Sequence, residues 1–416
     1  MGVPMPASNG VKSIKFWTLG CKANQYDTQS IRERFLSKGF RENEKIRHAD
    51  YFLINTCTVT SGADRKSRNI IRKCIRSNPK AKVIVTGCLV EKDCQSLANI
   101  RGISLIVRKN FFPEGISFFS RHTRAFLKIQ DGCGNFCAYC KVALVRGKER
   151  SKILNQVIDE AKKLVARGYK EIVLTGICIG AYGRGFSPKR NLIDVISALE
   201  KIKGLARIRL SSIEAWDVSP MLIKRLASSK KFCRHLHIPI QSGDDRILRR
   251  MNRKYTGQKY HNLIARLKRN IPQISITTDC LVGFPGETEV NFQNTIDLVK
   301  KIMPLKVHIF PYSSRPGTKA ANFKGLVDPR TIKTRCDRME EAANGCRMNF
   351  MRRFLGKKVE VLIEGSVKDN SDDLEGLTDN YLEVRLPLKP GLKNKIIRVR
   401  FKRIVEGTFI GEYINN

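Results

Sequence analysis

The hydrophobic positions of the first hundred residues switch between two periods. Short apolar runs at residues 12–18, 50–54 and 82–85 predict strands. Segments with apolar residues three and four apart follow them and predict helices over 26–38, 63–76 and 90–98. Strands alternating with helices require a parallel sheet with helices on its faces. The pattern restarts near Arg124, with strands expected at 126–130, 171–174, 207–210, 235–238, 276–281 and 306–309 and helices such as 156–167 between them. About six parallel strands predict a full or partial (β/α) barrel, with its functional face at the strands' C-terminal ends. A charged helical stretch over 328–354 leads out of it. Beyond it, strand-like runs at 359–364, 381–386, 396–401 and 408–413, separated by polar turns, predict a small β-barrel. The fold class is therefore α/β: a doubly wound parallel sheet, a partial (β/α) barrel and a small β-barrel. A length of 416 residues suits about two or three such units.

The cysteines change this picture from architecture to chemistry. No apolar run reaches the roughly 18 residues that a membrane span needs. Residues 1–10 do not read as a signal peptide, so a cytoplasmic protein is expected. In a reducing compartment, 13 cysteines argue for metal or redox chemistry over a disulfide framework. Cys21, Cys57 and Cys88 each lie just past the C-terminal end of a predicted strand. That edge is where open α/β sheets bind ligands. A single cysteine so placed reads as buried packing; three in successive units point to one shared site.

Cys133, Cys137 and Cys140 form the sharpest motif, Cys-x3-Cys-x2-Cys, in a loop where Gly132 and Gly134 allow the chain to curl. Three soft thiolates suit an iron–sulfur cube and leave one iron open for another ligand. Zinc is the rival, since Cys137-x2-Cys140 could be half of a ribbon, but the chain has no second CxxC and only six histidines. A thioredoxin-like dithiol leaves the third cysteine without a role.

The charge points to a partner. A net charge of +40, from 78 basic and 38 acidic residues, costs self-repulsion unless a polyanion binds, and nucleic acid is the leading candidate. Residues 65–82 carry eight basic residues and no acid, and 246–254 carry five. Either alone reads as a solvated face; together with the total, at least one is expected on RNA phosphates. The segment from Met351 onward holds 13 basic and 10 acidic residues, so it is not the main source of charge.

The triplet, with aromatic Tyr139 before its last cysteine, resembles the signature of radical S-adenosylmethionine (SAM) enzymes. Thr18 through Asp27, Asn55-Thr56-Cys57-Thr58-Val59-Thr60 and Thr86-Gly87-Cys88 resemble the N-terminal domain of the methylthiotransferases within them. Leu19-Gly20-Cys21-Lys22-Ala23-Asn24 is similar to the MtaB branch, where the MiaB branch reads Phe-Gly-Cys-Gln-Met-Asn. Arg146-Gly147, Arg150-Ser151, Thr175-Gly176, Ser211-Ser212-Ile213-Glu214, Pro239 through Gly243 and Asp279 through Thr288 match in family order. Two places depart from the pattern. Val142-Ala143 stands where Ile-Pro is usual, and Cys178-Ile179-Gly180 where Asn-Leu-Gly is usual, so Cys178 reads as a small packed residue.

The resemblance implies a methylthiotransferase domain over 11–118, a radical SAM core over 119–350 and a TRAM-like RNA-binding β-barrel over 351–416. It implies two [4Fe–4S] clusters, one on Cys133, Cys137 and Cys140 whose open iron takes SAM, and an auxiliary one on Cys21, Cys57 and Cys88 that holds the transferred sulfur. It also implies SAM contacts from Tyr139, Thr175, Gly176, Ser212, Glu214, Gln241, Val282 and Phe284. The implied reaction is C2-methylthiolation of N6-threonylcarbamoyladenosine at position 37, in the anticodon stem-loop of tRNA. The implied partners are that tRNA and an electron donor such as flavodoxin or ferredoxin, with the enzyme a monomer and no membrane involved. Isopentenyladenosine in tRNA, a ribosomal-protein aspartate, and a non-catalytic iron–sulfur RNA-binding protein remain as alternatives.

Overall fold

The structure, a computed structural model, describes residues 11–109, 115–120, 122–367 and 370–414. Its first sheet holds β1 (Ser13–Thr18), β2 (Arg41–Glu42), β3 (Tyr51–Thr56), β4 (Lys82–Gly87) and β5 (Ile103–Ile106) in the order β2-β1-β3-β4-β5, all parallel. Every residue of β3 is buried, as a strand covered on both faces requires. Ile14, Phe35, Phe40, Leu53 and Ile84 pack on one face of the sheet, and Phe52, Ile54, Ile71, Val83, Val85 and Leu89 on the other. The sheet is doubly wound, and the strand order reverses between β1 and β3. Such a switch point opens a crevice at the strands' C-terminal ends. The single helix expected over 90–98 is instead two short ones, Cys88–Lys92 and Cys94–Ala98. Asp93 breaks it: its backbone leaves the helical region and its carboxylate accepts from Ser96 N at 3.3 Å, starting a second helix.

The central region contributes β6 (Arg124–Lys128), β7 (Gln130–Asp131), β8 (Arg150–Ser151), β9 (Glu171–Thr175), β10 (Arg207–Leu210), β11 (His235–His237), β12 (Ser275–Val282) and β13 (Lys306–Pro311). Two parallel sheets, β6-β9-β10 and β11-β12-β13, join through the bridges Ile208 to Phe232 and Ser212 to His237. The result is a six-stranded arc, a partial barrel, with β7 and β8 as a small antiparallel pair beside it. Helix Lys22–Ser37 of the first region lies against β6, and its Tyr26 is buried in the central core. The exit helix is Pro329–Arg352, capped by Asp328.

The last region is a closed barrel of β14 (Lys358–Val367), β15 (Asn370–Thr378), β16 (Glu383–Pro387), β17 (Ile396–Val405) and β18 (Thr408–Tyr413), joined as β14-β15-β16-β18-β17. Strand β15 falls where the sequence predicts only polar turn. Its Asn-Ser-Asp-Asp start carries no hydrophobic alternation, and of its residues Leu374 joins the barrel's core cluster while Leu377 is buried outside it. Pairing with both β14 and β16 makes it a strand, a tertiary effect that outweighs its weak propensity. The turn after β15 seals the N-terminal end of the central arc. Arg209 donates to Thr378 O and Asp379 O at 3.0 Å each, and Tyr381 stacks on His235 with ring centroids 4.3 Å apart.

Candidate functional site

Cys21 follows β1, Cys57 follows β3 and Cys88 follows β4, and all three line one pocket at the switch point. Glycines make this convergence possible. Gly20 and Gly87 sit at φ +96° and +106°, a region that favours glycine. A Cβ on Gly20 would stand 2.9 Å from Cys57 Sγ, and one on Gly87 would stand 2.4 Å from the Thr56 backbone. Asn24 braces the pocket, donating to Leu19 O and Thr56 O at 2.7 and 3.0 Å. Lys141, Val142, Val145 and Arg146 line the same pocket. These residues directly follow Cys140, so the helix Val142–Arg146 is a wall shared by the two cysteine sets.

A buried ionic network fixes that wall. Asp27 pairs with Lys128 and with Lys109 at 3.0 Å, and Asp131 pairs with Lys128 at 3.0 Å and Arg146 at 2.7 Å. Arg146 and Lys109 both also donate to Asn24 Oδ1 at 2.6 Å. Burial acts to raise the carboxyl pKa values, but Lys128, Lys109 and Arg146 outweigh it for Asp27, holding it well below the usual carboxylate range; Asp131 is lowered in the same way.

The second set lies in the loop after β7. Gly132, at φ +77°, leaves no room for a side chain, since a Cβ there would meet Lys148 O at 2.0 Å. Ala138 and Tyr139 anchor the loop in a small apolar cluster with Met251, Leu281 and Phe284. Val142 N donates to Cys140 Sγ at 3.4 Å, and Arg253 Nη1 donates to Cys137 Sγ at 3.5 Å. Burial pushes the Cys140 thiol up to about 12, so its thiolate needs a bound cation to form. Three thiols at each site form a soft donor set that fits an iron–sulfur cluster, with one iron left for another ligand. All the cysteines are free thiols.

The remaining expected site residues gather at the C-terminal ends of the arc. Thr175 ends β9 fully buried, and its Oγ1 finds no partner among the described residues; neither does Ser211 Oγ just past β10. Two orphaned hydroxyls at adjacent strand ends mark a place for a polar ligand. Ser212 pairs with His237 through its backbone, and Glu214 accepts from Arg253 Nη1 at 3.2 Å. Gln241 holds φ +59°, strained for a side-chain-bearing residue. Phe284 packs edge-on against Tyr139, with centroids 6.5 Å apart. Val282 turns its side chain into the core, leaving only its backbone to the site. Cys178 is buried, as the sequence suggests, but against Cys133: it accepts from Asn135 Nδ2 at 3.7 Å and lies 3.6 Å from Asp217 Oδ2.

Sequence reasoning missed two positioning residues and one cluster. Gln130 accepts from Ile177 N at 3.1 Å and Cys178 N at 2.7 Å and donates to Asp131 O and Gly132 O at 2.9 Å, tying the segment after β9 to the cysteine loop. Arg253, counted in a basic run, is buried and serves Cys137 and Glu214 instead of a solvent face. His237, Asp279 and His308, on adjacent strands β11 to β13, place ligand atoms within 4.8 Å of one another on the inner wall of the arc. Cys74 and Cys94 lie on helices, as expected.

Residues 127–299 match the Radical SAM superfamily, and residues 13–107 match the Uncharacterized protein family UPF0004. The chain is 36% identical, over 93% of both sequences, to Threonylcarbamoyladenosine tRNA methylthiotransferase MtaB of Bacillus subtilis (strain 168). It is 32% identical, over 95% of this chain and 90% of the relative, to tRNA-2-methylthio-N(6)-dimethylallyladenosine synthase of Acetivibrio thermocellus. Among solved structures it is similar in fold to the radical S-adenosylmethionine methyltransferase TsrM of Kitasatospora setae, with a TM-score of 0.52, 14% identity and coverage of 75% of this chain and 77% of that one.

Proposed function

The chain belongs to the family of radical SAM tRNA methylthiotransferases, and we propose that it converts N6-threonylcarbamoyladenosine at position 37 of tRNA to its 2-methylthio derivative. The observation that carries this reading is the pair of three-cysteine sites that meet at helix Val142–Arg146, which lines the pocket of the first set and starts beside Cys140 of the second. When bound, two [4Fe–4S] clusters and SAM supply the radical that removes hydrogen from C2 and the methylated sulfur that takes its place.

The chain's own residues hold these groups and the base. Cys133, Cys137 and Cys140 hold one cluster, and Cys21, Cys57 and Cys88 the other. Tyr139, Thr175, Gly176, Ser212, Glu214, Gln241, Val282 and Phe284 hold SAM, and the orphaned Thr175 hydroxyl supports this assignment. Gln130 holds the segment after β9 in place. Gln130→Leu should leave Ile177 N and Cys178 N unsatisfied and weaken SAM binding about tenfold or more, read by calorimetry on reconstituted protein.

Residues 11–118, 119–350 and 351–416 act as auxiliary-cluster domain, radical SAM core and TRAM-like RNA-binding barrel. Helix Ser61–Ser77 begins four residues after Cys57 and exposes Arg65, Lys66, Arg72, Lys73 and Arg76, a track for anticodon stem-loop phosphates leading to the site. Among the described residues no helix is long and apolar enough to cross a membrane. The enzyme works as a cytoplasmic monomer, reduced by a donor such as flavodoxin or ferredoxin. Mass spectrometry of tRNA nucleosides from cells lacking the protein tests the reading. The 2-methylthio form should vanish while N6-threonylcarbamoyladenosine accumulates; unchanged levels would refute it.

A further inference from the structure

The cysteine loop that follows β7 turns one large apolar side chain outward. Phe136 is 57% exposed, and its backbone sits at φ +47°, a region that disfavours bulky residues. Two segments clamp the loop in this shape. Asn252 Nδ2 donates to Asn135 O at 3.2 Å and to Phe136 O at 3.1 Å, and Ala138 N donates to Met251 O at 3.0 Å. From the second segment, Ala320 N donates to Ala138 O at 2.8 Å. A backbone in so sparse a region persists only where its surroundings over-determine it, and such places cluster at functional sites. The exposed ring contributes little burial to set against that cost.

The clamping segments are basic. Arg246, Arg249 and Lys254 belong to helix Asp245–Arg250 and the turn after it, and Lys319 and Lys324 to the segment around Ala320; all five are exposed. Among the described residues none of the five makes an ion pair. The neighbouring acids are engaged elsewhere. Glu214 pairs with Arg253, Glu149 and Asp217 pair with Arg184 at 3.0 and 2.7 Å, and Glu287 pairs with Arg335 at 3.1 Å. Asp245 accepts from Gly257 N at 2.8 Å. An apolar centre within a rim of uncompensated cations is the anatomy of a docking face for an acidic protein.

We propose that Phe136 and this cationic rim receive an acidic one-electron donor protein, a flavin or iron–sulfur carrier whose cofactor is bordered by carboxylates. The proposal rests on the function proposed above, in which the group on Cys133, Cys137 and Cys140 must be reduced. Phe136 directly precedes Cys137, and consecutive Cα atoms lie about 3.8 Å apart, so the docking surface adjoins a cluster ligand. One electron leaves the donor, which is oxidised, and enters the group on those three cysteines, which is reduced; no bond forms or breaks and no proton moves. RNA is the rival polyanion. Its track, helix Ser61–Ser77, begins four residues after Cys57 and leads to the pocket of the other set, whereas this rim frames the loop of Cys133, Cys137 and Cys140.

The test uses the reconstituted full-length enzyme with an acidic flavodoxin as probe. Arg249→Glu/Lys254→Glu should weaken flavodoxin binding on the order of 10-fold or more at low ionic strength, and the gap should shrink as salt is added. Phe136→Ala should weaken it too, with little dependence on salt. Stopped-flow absorbance should show slower flavin oxidation when reduced flavodoxin meets the charge-reversed enzyme. With dithionite as reductant, that variant should form 5′-deoxyadenosine as the wild type does and bind anticodon stem-loop RNA equally well. If it fails to fold, Lys319→Glu/Lys324→Glu on the second clamp carries the same expectation. Flavodoxin binding that survives charge reversal overturns the proposal. Loss of RNA binding with flavodoxin binding kept also overturns it and assigns the rim to RNA. Absence of methylthio product with every reductant refutes the proposed reaction instead, and flavodoxin binding and flavin oxidation still judge this face.

Discussion

Cys57→Ala should form 5′-deoxyadenosine from SAM yet lose the methylthio nucleoside by more than about a thousandfold, as for groups that act as a unit. Cys57 lies past β3, in the pocket with Cys21 and Cys88, whereas Cys133, Cys137 and Cys140, the set proposed to bind SAM, lie after β7 on a separate loop anchored by its own apolar cluster. Removing Cys57 thus strips one ligand from the proposed sulfur-transferring site and leaves the other loop's contacts in place. Cys137→Ala should abolish both products. Liquid chromatography of SAM products and of digested RNA in one reaction reads both. Loss of 5′-deoxyadenosine in Cys57→Ala, or retention of the methylthio product, would show that the two sets do not divide the work in this way.

Asp27→Asn should destabilise the protein by about 3–5 kcal/mol, the cost of leaving buried charge uncompensated. Asp27 and Asp131 are the carboxylates opposite Lys109, Lys128 and Arg146, and neutralising Asp27 leaves three buried cations facing one anion. The loss falls on the contact that sets the two cluster sites apart, so product formation should fall with it. The effect has a defined pH dependence. The folded protein depresses the pKa of Asp27 and Asp131 below the ordinary value of about 3.9. Their stabilisation is therefore full above about pH 4 and is lost as pH falls through the folded values. The difference in unfolding free energy between wild type and Asp27→Asn, measured by denaturant titration, should be constant near neutrality and close in acid. A gap that widens in acid would sink this account.

Local pattern carried much of the architecture. The strand ends that place Cys21, Cys57 and Cys88 were legible because β1, β3 and β4 are short apolar runs, and β1 and β4 are followed or ended by Gly20 and Gly87 at positive φ. The six strands of the arc were legible for the same reason, since strands covered by helices need continuous hydrophobicity. Spacing exposed Cys133, Cys137 and Cys140, because all three lie within one short loop.

Other features have no local signal. Strand β15 is polar and exists because β14 and β16 pair with it. Gln130 looks like any strand-end glutamine until Ile177 and Cys178 fold back onto it. Arg253 reads as surface charge within a basic run, and only the arc turns it toward Cys137. The sequence by itself determined the elements, the two cysteine sets and the excess of positive charge, since each is written in neighbouring residues. The tertiary structure alone decided which charges are spent inside the protein. Asp27 comes from the first region and Lys128, Asp131 and Arg146 from the central one, so the network is complete only once the first sheet docks on the arc.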